Sequence, residues 1–314
     1  MSNFFTGVQG VLTILLMIAG GYILGRRKWF SDETITSMSR LVLQISIPAM
    51  MLSSVISTFT REDIINMGPA LLVPFVSISF LYALSILAAK IFRIPKNRRG
   101  VFRANFAFSN TIFVGIPVNV ALFGEQAAPY VTLYYLVNTT LFWTIGVYFI
   151  RRDNFAERVP VFSFKTLRQI FTPSIICFII ALFFVMYEIK FPSFFMSGLR
   201  YAAALTTPLA ILIIGVTLKP AGLRRINPEI VIILLARFVL APLAILFLLD
   251  KGGMELPPLM RKVFLITASM PVMTQIALIA KAYGADHENA GITATITTTV
   301  SLLAIPVYMV LFGG

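Results

Sequence analysis

The chain has 314 residues, 58% of them hydrophobic and only 12% charged. Soluble domains carry about 25% charged residues, so there is too little polar surface here to coat a globule in water. The net charge of +13 does not point to nucleic acid, because the basic residues sit in short clusters between apolar runs and not along one amphipathic face.

A helix that crosses the hydrocarbon of a bilayer takes about 20 residues. On that measure ten apolar spans follow one another, at roughly 5–25, 36–56, 65–89, 101–123, 129–150, 170–189, 197–218, 228–249, 261–283 and 289–312. The first reads as a retained helix and not as a signal peptide. No basic residue precedes it, no small-residue cleavage site follows it, and Arg26-Arg27-Lys28 flanks its end. Gly21 and Gly25, four apart on that helix, fit a close helix contact.

An even number of crossings puts both termini on one side. With the termini outside, 19 Lys and Arg fall in cytoplasmic segments and 6 in outer ones, and Arg237 lies inside the eighth span. The positive-inside rule therefore predicts a multi-pass protein of the cell (inner) membrane with both termini outside. The segment from Arg151 to Arg168 is the longest cytoplasmic connection. It divides the chain into a five-helix repeat over 1–150, a linker over 151–169 and a second five-helix repeat over 170–314. A shift of 160 residues pairs Pro48 with Pro208, Ser109 with Ser269, Gly124 with Gly284, and Val147-Tyr148 with Val307-Tyr308. Five is odd, so the second half enters the membrane inverted, as in many secondary transporters.

Irregular backbone is tolerated at membrane depth only where protein or a wet cavity surrounds it. The fourth span contains Ser109-Asn110-Thr111 followed by Gly115 and Pro117, and the ninth contains Ser269-Met270-Pro271 followed by Thr274 and Gln275. Proline removes a backbone donor, and the neighbouring Asn, Thr and Gln can bond the groups so freed. Each break turns the positive end of a half-helix toward the membrane centre. Two such breaks, at matching places in inverted halves, predict one polar site with Asn110, Thr111, Thr274 and Gln275 as substrate contacts and Gly115, Pro117 and Pro271 as its backbone. Asn138, on the helix after the first break, is expected to face the same cavity. Pro48, Pro208, Pro242 and Pro306 are read as kinks.

The membrane interior lacks the groups an enzyme needs. All 13 Asp and Glu fall in loops or near helix ends, and the one His, His287, lies in a predicted loop between Asp286 and Glu288. No nucleophile–base pair and no metal-ligand set emerges, so no enzyme, metal or cofactor is expected. Cys177 is the one cysteine and forms no intrachain disulfide. Arg237 is the one charge in mid-span, and an unpaired arginine there costs at least about 2.5 to 3.5 kcal/mol. It either attracts an anionic substrate or bonds the carbonyls of a helix break.

These motifs resemble those of the auxin efflux carrier family. The resemblance runs from Gly21-Tyr22 and the basic cluster through Leu41 to Pro48. It is most specific at Asn110-Thr111-x-x-x-Gly115-Ile116-Pro117, and continues through Phe123-Gly124, Met270-Pro271 and Tyr283-Gly284. It implies an all-helical fold related to bile acid symporters and sodium–proton antiporters, with helices four and nine broken and crossed. It further implies a scaffold of helices one, two, six and seven, a mobile transport domain of helices three to five and eight to ten, a homodimer, and elevator-like alternating access. Asn110 and Pro117 match the family's first crossover and Pro271 its second, while Asn138 falls where plant members carry a glutamine. Many members have an asparagine a few residues after the second proline, where this chain has Thr274 and Gln275. The long cytoplasmic insert of plant members is absent, which favours a bacterial-type carrier.

The function expected from the sequence is secondary transport of a small organic anion across the bilayer. An ion-coupled carrier for a non-anionic solute and an anion channel are the alternatives. Many coupled carriers place Asp or Glu in the membrane, and this chain does not, so coupling to sodium or to protons is left open.

Overall fold

The computed structural model describes residues 13, 16–153, 171–217, 226–251 and 256–312. Asn3, Gly314 and residues 154–169 of the predicted linker lie outside the described residues. Every apolar span carries helix. The helices are α1 (Leu16–Arg26), α2 (Asp32–Thr58), α3 (Gly68–Ile91), α4a (Arg99–Ala107), α4b (Thr111–Phe123), α5 (Glu125–Asp153), α6 (Pro173–Met186), α7 (Ser193–Thr217), α8 (Pro228–Lys251), α9a (Pro258–Ala268), α9b (Gln275–Ala282) and α10 (His287–Phe312). Six of them, α2, α3, α5, α7, α8 and α10, are long and apolar enough to cross a membrane by length and composition. The only extended pairing among the described residues is an isolated antiparallel bridge between Ser109 and Val272.

Local chemistry sets the helix starts. Ser31, Thr172 and Asn227 each accept, through a side-chain oxygen, the N–H of the residue three positions on, capping α2, α6 and α8. Asp153, at the end of α5, takes the Gly100 and Val101 N–H groups at 2.8 and 2.9 Å and so holds the start of α4a. Gly100 is obligatory there, because the Phe149 backbone occupies the space a Cβ would need. Arg98 bonds Glu229 at 3.1 Å and Asp286 at 2.6 Å, tying the start of α4a to the starts of α8 and α10.

The lipid-facing surface is legible on α8. Val231, Leu235, Val239, Leu243 and Phe247 recur every four residues and are exposed, while Ile230, Ile233, Ala236, Arg237 and Ala241 on the other side are buried. An apolar stripe that exposed marks contact with lipid.

Packing divides the helices. α6 and α7 lie against α2, and α7 also lies against α1. In the other group α3 packs on α4a and α8, α4a on the end of α5, and α9b on α10. The groups meet where α5 touches α2 and where α4b touches α7. At the contact of α1 with α7, a Cβ on Gly21 would lie 2.5 Å from the Leu212 carbonyl oxygen and one on Gly25 2.9 Å from that of Val216. The two glycines read as a close-contact motif do meet a helix backbone.

Two pairs of helix ends, each pair 160 residues apart, share a backbone form. Lys28 N–H donates to the Gly25 carbonyl at 3.0 Å and Trp29 N–H to that of Leu24 at 3.2 Å. In the other half Glu188 N–H donates to Val185 at 3.1 Å and Ile189 N–H to Phe184 at 2.9 Å. Lys28 and Glu188 take φ of 55° and 52°, and Gly124 and Gly284 take 82° and 66°. Non-glycine residues seldom adopt such angles.

Candidate functional site

The breaks in the fourth and ninth spans meet. α4a ends at Ala107 and α9a at Ala268, and the two extended stretches that follow run antiparallel. Asn110 N–H donates to the Pro271 carbonyl at 2.8 Å, and Met273 N–H to that of Phe108 at 3.3 Å. Two further backbone groups at the breaks are also occupied, as burial demands. Val272 N–H donates to Thr297 Oγ1 of α10 at 3.3 Å. Gly115 N–H donates to the Asn110 carbonyl at 2.9 Å. Pro117 lies in the first turn of the regular part of α4b, where a missing N–H is tolerated. The break itself falls upstream, at Phe108 to Asn110, and Thr111–Gly115 forms a π-helical turn between the two.

A cavity of about 210 Å³ opens beside this crossover. On one side it is lined by Asn110 to Phe113, Tyr135 and Met273 to Gln275, and on the other by Leu43 and Gln44 of α2 and Thr172 to Ser174 at the start of α6. It is smaller than the roughly 300 to 1,000 Å³ typical of sites for drug-sized ligands, which suits a small solute. Asn110 is buried, and its Oδ1 accepts the Phe113 N–H at 3.1 Å, capping α4b, while its Nδ2 has no partner. Thr111 Oγ1 is likewise buried and unpartnered. Thr274 is the N-cap of α9b without using its side chain to cap it. Four of the five residues expected to contact substrate thus line one cavity.

Asn138 is the fifth, and it is placed differently. Its side chain is fully buried behind the crossover, with its Oδ1 accepting Ser109 N–H and its Nδ2 donating to the Ser109 carbonyl, both at 3.1 Å. Both ends of the amide are thus spent on backbone.

Arg237 is fully buried and also lies off the cavity. Its guanidinium donates to the carbonyls of Ala107 (3.0 Å), Ala268 (2.6 Å) and Met270 (3.0 and 3.2 Å), and to Ser109 Oγ (2.7 Å). Of the two roles open to it, the observed bonds are those to helix-break carbonyls. The cation sits at the C-terminal, negative ends of α4a and α9a, where it is stabilising.

Sequence reasoning missed Gln44, Tyr135, Thr172 and Asn119. Gln44 sits in a π-helical stretch of α2, Val42–Ser46, and such stretches are frequent at functional sites. Tyr135 and Thr172 join the two helix groups across the cavity by an OH···Oγ1 hydrogen bond of 3.1 Å. Asn119 Nδ2 donates to the Gly115 carbonyl at 2.8 Å and to Thr267 Oγ1 at 3.2 Å, binding α4b to α9a. The one available signal was a polar residue in an apolar span, which does not say what it touches.

Comparison with known proteins places the chain among membrane transporters. The chain is 24% identical over 302 residues to an uncharacterized transporter of Methanocaldococcus jannaschii, covering 95% of this chain and 96% of that protein. It is 22% identical over 317 residues to an uncharacterized transporter of Methanothermobacter thermautotrophicus, covering 98% and 99%. To a protein of Rhizobium meliloti provisionally named a malonate transporter it is 25% identical over 305 residues, covering 94% and 92%. The family model described as membrane transport protein matches residues 6–309. With apolar helices long enough to cross a bilayer and a family match over nearly its whole length, the chain belongs to this membrane transport family, that of the auxin efflux carriers, and is a multi-pass membrane transporter.

Proposed function

We propose that the protein is a secondary transporter of small organic carboxylates across the cell membrane. The observation that carries this reading is the pair of buried, unpartnered donors, Asn110 Nδ2 and Thr111 Oγ1, on the wall of a small cavity beside two half-helix starts. A buried donor without a partner costs about 1 to 3 kcal/mol, which a bound carboxylate would recover. Neutral amides, hydroxyls and half-helix N-termini hold an anion without a formal charge and so release it again. The name of the Rhizobium meliloti relative favours malonate as the first substrate to try.

We infer that α1, α2, α6 and α7 form a scaffold, that the remaining helices carry the crossover past it, and that ten crossings form two inverted halves in each protomer of a homodimer. The cavity on the boundary between the groups and the matched helix ends support this reading. Purified protein in liposomes should accumulate labelled malonate against a gradient with a saturable rate, with or without a sodium dependence that identifies the coupling ion. Flux that never saturates would make it a channel. Uptake of neutral solutes with malonate ignored would make it a carrier of another class.

A further inference from the structure

The crossover brings four half-helix ends together, and their charges can be summed. A helix end carries the equivalent of about half an elementary charge, positive at the N-terminus and negative at the C-terminus. The ends of α4a and α9a therefore bring about −1, and the starts of α4b and α9b about +1. Taken alone these cancel, and a carboxylate in the cavity would gain little from them. Arg237 changes the sum. All five of its hydrogen bonds go to neutral acceptors, the carbonyls of Ala107, Ala268 and Met270 and the Ser109 hydroxyl. Two of those carbonyls, of Ala107 and Ala268, are the last of α4a and α9a, the two negative ends. Among the described residues no carboxylate bonds Arg237. The buried one, Asp153, is engaged by Gly100 and Val101 at the opposite end of α4a, about 10 Å away along the helix at 1.5 Å per residue.

We propose that Arg237 makes the cavity anion-selective from behind the crossover, by cancelling the two negative helix ends so that the two positive ones act unopposed. It is a positioning residue: it lines no part of the cavity and acts through Ser109 and Met270 on the segments that carry Asn110 and Thr274. A bound anion is then the counter-ion of a fixed buried cation. This rests on the reading that the cavity takes an anion, but the charge can be measured without any substrate.

The probe is a thiol in the cavity. Thr274 is exposed on its wall and Cys177 is the one native cysteine, so C177S/T274C carries a single reporter. Its pKa is read from the pH dependence of alkylation by iodoacetamide. R237Q should raise that pKa by about one unit, a tenfold change in the thiolate-to-thiol ratio, and R237K, which keeps the charge, should restore it to within a few tenths. A folded R237Q protein with the thiol pKa unchanged overturns the proposal. R237M serves as a second neutral variant. Should neither fold, the thiol in the Arg237 protein decides: a pKa at or above the ordinary value of about 8.5 overturns the proposal, and a lower one supports it. Protection of the thiol by malonate tests the anion reading separately. A shifted pKa without malonate protection upholds the charge of Arg237 and rejects the carboxylate.

Discussion

Asn138 grips Ser109 with both ends of its amide, accepting the Ser109 N–H and donating to the Ser109 carbonyl at 3.1 Å each. Ser109 is the residue that pairs with Val272 at the crossover, and its hydroxyl accepts from Arg237. One residue is therefore held from three elements, α5, α8 and the extended stretch after α9a.

Asn138→Ala should act on stability before it acts on binding. It strips the buried Ser109 N–H of its partner, at about 1 to 3 kcal/mol for a group left unsatisfied, and leaves the Ser109 carbonyl with the Thr111 N–H alone, at 3.0 Å. The detergent-solubilised variant is expected to unfold at a clearly lower temperature than the parent. Loss of malonate binding with an unchanged melting temperature would instead make Asn138 a ligand contact.

Asn110 combines two tasks that substitutions separate. Asn110→Ala removes the cap on the Phe113 N–H, worth about 0.5 to 2 kcal/mol, together with the free Nδ2 donor. Asn110→Ser keeps a capping oxygen and loses only the donor. Both should weaken carboxylate binding by about 10- to 100-fold, from roughly 1.5 to 3 kcal/mol per bond to a charged group at 1.4 kcal/mol per tenfold. Only the alanine variant should also melt early. Asn110→Asp should bind less well than either, because it sets a like charge beside the substrate. Unaltered affinity in all three would remove Asn110 from the site.

The α1–α7 contact predicts a contrast between adjacent glycines. A Cβ on Gly21 or Gly215 runs into the facing helix backbone, whereas one on Gly20 meets nothing within 4 Å. Gly21→Ala and Gly215→Ala should each destabilise the protein by about 1 to 3 kcal/mol, the usual range for overpacking. Gly20→Ala should be neutral or slightly stabilising, since alanine favours helix. Equal melting temperatures for all three would show that the helices are further apart.

Orientation is tested by labelling from outside the cell. In a C177S background, single cysteines at Asn3 and Gly314 should react with a membrane-impermeant reagent, and one placed between Arg151 and Arg168 should not. The reverse pattern would mean that the 19 to 6 distribution of basic residues does not govern insertion here.

Much of this molecule follows from local sequence. Lipid demands long apolar helices, so composition and run length alone place helix in each span. Breaks in the fourth and ninth spans are legible because polar side chains and proline act on their own backbone within one turn, although the first break falls at Phe108 to Asn110, upstream of the Gly115 and Pro117 that also marked it. The pairing of Gly124 with Gly284 has the same local origin, since both positions need a φ that glycine adopts freely. What the sequence could not decide was direction and partner. Asn110 and Asn138 are the same residue type in neighbouring apolar spans, yet one leaves a donor free on a cavity wall and the other is spent on Ser109. Arg237 finds Ala107, 130 positions away in the chain, and Gln44 meets the crossover only because α2 packs opposite it. A periodic apolar pattern reports that a face is covered, by lipid or by protein alike. Which polar group meets which carbonyl is settled by helix packing, and through it by contacts remote in sequence.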